Sequence, residues 1–76
     1  MRFREHRGTL DESIKTRVEL PDRAALVQHI ENLHACFIHQ LDFSKIEVKQ
    51  YSAEPNWEYI VSLDGYGVIG FTDKPA

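Results

Sequence analysis

The stretch Trp57–Asp73 constrains this chain most. It reads Trp-Glu-Tyr-Ile-Val-Ser-Leu, then Asp-Gly, then Tyr-Gly-Val-Ile-Gly-Phe-Thr-Asp. Two runs rich in aromatic and β-branched residues flank a dipeptide whose glycine accepts positive φ, which is the short-range signature of a β-hairpin. With the tightest turn, Trp57, Tyr59, Val61 and Leu63 share a face with Tyr66 and Val68. Ile60, Ile69 and Phe71 then occupy the opposite face. Both faces are apolar, yet one helix covers only one face of a sheet, and an antiparallel sheet in a monomer usually wets its second. The face marked by Ile60, Ile69 and Phe71 is therefore expected to be covered either by a loop such as residues 38–44 or by another chain.

The remaining elements read around this hairpin. Residues 1–7 alternate, with Met1, Phe3 and Glu5 on one side and Arg2, Arg4 and His6 on the other, as in a short strand. Gly8 to Glu12 is turn-like, and Ile14, Thr16, Val18 and Leu20 alternate with Lys15, Arg17 and Glu19 in a second strand. Pro21-Asp22 stops that strand and opens a helix from about Arg23 to Ala35, with Asp22 placed to cap it. At about 100° per residue Leu26, Ile30, Leu33 and Phe37 form one stripe. Lys45 to Ser52 alternates again, and Ala53-Glu54-Pro55-Asn56 is a turn. The expected fold is a single small α+β domain over residues 1–76. Its element order is β-β-α-β-β-β, with a mainly antiparallel sheet and one amphipathic helix packed on one face. A β-grasp-like mixed sheet, with one parallel pair, has a similar element order and stays open.

A chain of 76 residues supports one small core. Its hydrophobic fraction of 42% and charged fraction of 28% are those of a globular protein rather than a disordered one. Cys36 is the single cysteine, so no intrachain disulfide can staple the fold, and a reducing, cytoplasmic setting is expected. No apolar run approaches membrane-spanning length, and residues 1–7 lack the apolar segment of a secretory signal. The net charge of −3 argues against a general nucleic-acid binder. Arg2, Arg4, Lys15 and Arg17 could still form a local patch for an anionic partner on the polar face of the first two strands. A charged edge that discourages strand aggregation explains the same residues.

Three patterns resemble chemical motifs. Gly65-Tyr66-Gly67-Val68-Ile69-Gly70 spells G-x-G-x-x-G, but six residues follow Gly70, which leaves no room for the helix and the acidic residue a dinucleotide site needs. Turn, bulge and close packing account for these glycines instead. His29, His34, Cys36 and His39 resemble a metal cluster, yet on one helix His29 and Cys36 stand about 10 Å apart along the axis, too far to share a zinc ion. Cys36 with His39 could form a nucleophile and base, but no orienting third group is visible. No catalytic, cofactor-binding or metal residue is assigned, and no enzyme activity is expected.

Two segments carry a resemblance: Arg4-Glu5-His6-Arg7-Gly8-Thr9-Leu10-Asp11-Glu12-Ser13 and Asp64-Gly65-Tyr66-Gly67-Val68-Ile69-Gly70-Phe71-Thr72-Asp73. Together they resemble small uncharacterised proteins encoded by tailed phages and prophages, across about a third of the chain. The resemblance implies an accessory protein of the bacterial cytoplasm and transfers no functional residue. The leading expectation is a non-enzymatic protein-interaction module that binds a second copy of itself or a host or phage protein through Ile60, Ile69 and Phe71. A weak nucleic-acid binder using Arg2, Arg4, Lys15 and Arg17 is one alternative. A small enzyme or metal protein using Cys36 and His39 is another.

Overall fold

The computed structural model describes residues 1–34, 42–52 and 58–75. The chain runs β1 (Arg2–Glu5), α1 (Leu10–Ile14), β2 (Val18–Glu19), α2 (Arg23–His34), a 3-10 turn (Phe43–Lys45), β3 (Glu47–Ser52), β4 (Glu58–Leu63) and β5 (Gly67–Thr72). The five strands form one sheet in the order β2-β1-β5-β4-β3. Every pairing is antiparallel, β1 with β5 included, so the mixed β-grasp alternative is not the fold. Because β2 and β3 are the two edges, the segment carrying α2 crosses the whole sheet.

That crossing covers one face. Leu26 and Ile30 of α2 are fully buried and pack in one cluster with Phe3, Val61, Leu63 and Ile69 of the sheet and with Phe43 and Ile46. Leu33 of the expected stripe packs against this cluster as well. Phe37, Leu41, the turn at residues 53–56 and Trp57 lie outside the described residues. Asp42 caps the 3-10 turn that delivers β3, accepting from the Ser44 backbone N–H at 3.0 Å and from its hydroxyl at 2.5 Å. Arg23 Nη2 reaches from the first residue of α2 to the Ile46 carbonyl, 2.7 Å away, and so ties the helix to the start of β3.

The first connection differs from expectation. Leu10–Ile14 is helical, and only Val18–Glu19 remains as the second strand. The cause is local side-chain chemistry. Thr9 caps the helix by accepting from Glu12 N at 3.2 Å, and Asp11 and Glu12 sit in its first turn, where carboxylates meet free backbone N–H groups. Buried Ser13 then donates to the Glu5 carbonyl, and Thr16 Oγ1 accepts from Glu5 N at 2.7 Å while donating to the Ser13 carbonyl at 2.6 Å. These hydroxyls replace the ladder bonds that a longer β2 would have made to the end of β1.

The hairpin forms, but its register is offset twice. Its loop has three residues rather than two: Tyr66 N donates to the Leu63 carbonyl at 3.0 Å, and Leu63 pairs with Gly67. Gly65 and Gly67 supply the positive φ values, 85° and 111°, that this loop demands. A one-residue slip exchanges the faces of a strand. Val68 therefore pairs with Ser62 and is exposed, where the sequence placed it on the helix-covered face. A β-bulge follows: Ile69 and Gly70 together oppose Val61. It turns Ile69 into the core, 3% exposed, and corrects its expected place on the second face. The two offsets add to a shift of two residues, which restores the face, so Phe71 pairs with Ile60 on the second face. On the β1 side the carbonyl of Ile69 accepts from His6 N at 2.9 Å.

Gly70 holds this arrangement. A Cβ there would lie 2.3 Å from the Arg4 carbonyl oxygen and 2.6 Å from Phe3 Cε1, so the Phe3 ring rests on bare backbone. Gly70→Ala is expected to cost about 2–3 kcal/mol in urea denaturation through overpacking. A variant as stable as wild type would show that the ring does not sit there. Asp42 gives a second check. Its carboxyl is held below the ordinary 3.8, first by the Ser44 hydroxyl and then by the Ser44 N–H. The resulting stabilisation is present above that ordinary value and is lost as pH falls through the lowered one. Ser44→Ala should move the Asp42 titration, read by NMR, upward toward 3.8; an unchanged midpoint would contradict the cap.

Candidate interaction face

The sheet face opposite α2 is built from four strands. Arg4 of β1 pairs with Phe71 of β5, Phe71 with Ile60 of β4, and Ile60 with Lys49 of β3, so one row crosses the sheet. In the neighbouring row Val68 pairs with Ser62, and Ser62 with Glu47. Ile60 and Phe71 are half-buried; Val68 is exposed. The result is an apolar centre flanked by charged ends.

Arg4 belongs to this face as a fixed group. Its guanidinium lies 4.1 Å from the centroid of the Phe71 ring, donates through Nη1 to Ser13 Oγ at 2.6 Å, and pairs through Nη2 with Glu58 Oε2 at 2.8 Å. His6 meets the same ring edge-on, with centroids 6.0 Å apart. Arginine suits this position because its planar fork can stack and hydrogen-bond at once. Two sets of residues singled out from the sequence therefore meet at one point, Arg4 on Phe71. Glu58 and Ser13 complete the clamp and were not singled out. Glu58 shares the strand face of Ile60, but only the β1-β5-β4 order brings it to Arg4.

The other expected site residues are dispersed. Ile69 lies in the core and cannot serve an external partner. Arg2 stands two residues before Arg4 on β1, Lys15 caps the end of α1, and Arg17 precedes β2. Arg4 is committed to Glu58, and the Asp73 carboxylate accepts from Arg2 N at 2.6 Å, which places negative charge beside the intended patch. Cys36 and His39 lie outside the described residues. His29 packs edge-on against Phe3, with centroids 5.7 Å apart, and His34 stacks on Phe43 and leans on Tyr66. No group of three or more His, Cys, Asp and Glu among the described residues could hold a metal ion. No helix among them is long and apolar enough to cross a membrane.

The clamp predicts unequal roles for two arginines on one strand. Arg4→Met removes two hydrogen bonds of a charged donor and a cation–π interaction at once, and should lower stability by about 1–2 kcal/mol. Arg2→Met should stay within about 0.5 kcal/mol of wild type. Equal effects of the two substitutions in chemical denaturation would contradict the assignment. No family model, curated protein or solved structure matches the chain.

Proposed function

We propose that this chain is a non-enzymatic protein-interaction module whose working surface is the sheet face opposite α2. The observation that carries the proposal is Val68. The three-residue loop turns this β-branched side chain outward beside the Ile60–Phe71 pair, so an apolar centre faces away from the chain's own core. Val68 takes the place that the sequence had given to Ile69. A rim of Arg4, Glu58, Glu47 and Lys49 surrounds that centre with both signs of charge, the layout of a protein contact rather than of a nucleic-acid one. The resemblance of residues 4–13 and 64–73 to phage and prophage proteins supports an accessory role for this module in the cytoplasm of a bacterial host. Its partner on this reading is a host or phage protein that presents a complementary apolar patch.

A photo-crosslinking residue at position 68, expressed in infected or lysogenic bacteria, tests the reading. It should give one discrete adduct that excess wild-type chain competes away and that Ile60→Glu abolishes. The same probe at Glu31, on exposed α2 surface, should give none. Identical labelling from both positions, or no adduct at either, would remove the face from its role.

A further inference from the structure

We propose that two copies of the chain pair edge to edge through β3, antiparallel, about a two-fold axis at Val48. The two edges of the sheet differ. β2 has two residues and offers little to a second strand, whereas β3 has six, and β4 is its one neighbour among the described residues. An edge of that length is a template for a further strand unless its side chains forbid it.

Symmetry restricts how two copies can meet. A two-fold axis perpendicular to an antiparallel pair sets one residue against its own copy, because directly opposed side chains share a face. Centring on Glu47 or on Lys49 opposes like charges, which is destabilising. Centring on Val48 sets Glu47 of each copy against Lys49 of the other. Glu47 and Lys49 already lie on one side of β3, with Lys49 Nζ 3.0 Å from Glu47 Oε2 and their side chains 57% and 71% exposed. In this register the four charges form an alternating square. Val48 faces the other way, toward the core side with its partner Val61, and there meets Val48 of the second copy as a β-branched pair. A lone edge lysine would repel a second copy; the glutamate two residues before it converts repulsion into attraction in this register alone.

The pairing would join the two sheets and place two interaction faces side by side. It does not rest on the reading of the outer face, since none of its contacts uses Ile60, Val68 or Phe71. The test is a charge swap, read by sedimentation equilibrium of the full chain from about 10 μM to about 1 mM at low salt. Wild type should dimerise. Glu47→Lys and Lys49→Glu should each weaken association at least about tenfold, because each opposes like charges at two places. An equal mixture of the two variants should associate again, as should the double variant, since both restore opposite-charge pairs. Val68→Glu should leave association unchanged, which separates this result from the fate of the outer face. A wild-type chain that stays monomeric, a dimer indifferent to both single reversals, or a mixture that fails to associate overturns the proposal.

Discussion

The packing of the Phe3 ring on the backbone of Gly70 is the constraint on which the sheet depends. β1 and β5 come from opposite ends of the described chain and hold the centre of the sheet together. Where they meet, a large aromatic ring needs the space that any other residue at position 70 would fill. The bulge beside it follows from the same need. Carrying Ile69 inward contributes about 2 kcal/mol of apolar burial, whereas an interrupted ladder bond costs about 1 kcal/mol. His6 N donates to the Ile69 carbonyl from the β1 side, so the bulge leaves that bond between the two chain ends in place.

The outer face takes its character from these backbone events rather than from composition. One extra loop residue turns Val68 outward, and one bulge residue restores the alternation so that Phe71 returns to the side of Ile60. Arg4 then finds an aromatic ring beneath it, a carboxylate on β4 and a hydroxyl on α1. A surface arginine in water contributes little through one ion pair. Here it is largely shielded from solvent and joins three elements, so its effect is to fix the rim of the apolar strip. A fixed rim loses less side-chain freedom when a partner binds.

Much of this was legible in the sequence for physical reasons that can be named. Long alternating runs and a helical stripe are strong signals, and the hairpin, α2 and the inward side of Val61 and Leu63 followed from them. The capping box Thr9-x-x-Glu12 was equally present, but the alternation of Ile14 to Leu20 concealed it, and the structure resolves the conflict through Ser13 and Thr16. The faces of Val68 and Ile69 could not be read from periodicity, because a loop length and a bulge are each one-residue events. Even so, the three glycines that permit those events were visible. The Arg4–Glu58 clamp was out of reach for a different reason: it depends on which strands are neighbours, and residues 4 and 58 become neighbours only once β5 lies between their strands.

The composition of the outer face depends on the inward turn of Ile69, which an isotope-edited NOE experiment on the methyl groups of the wild-type chain reads in solution. Methyl protons of Ile69 should show NOEs to Leu26 or Ile30 of α2, those of Val68 should show none, and the Gly70 α-protons should be shifted by the ring current of Phe3. NOEs from Val68 to α2, with Ile69 close to Ile60 instead, would mean that loop and bulge are absent and that the outer face is composed differently.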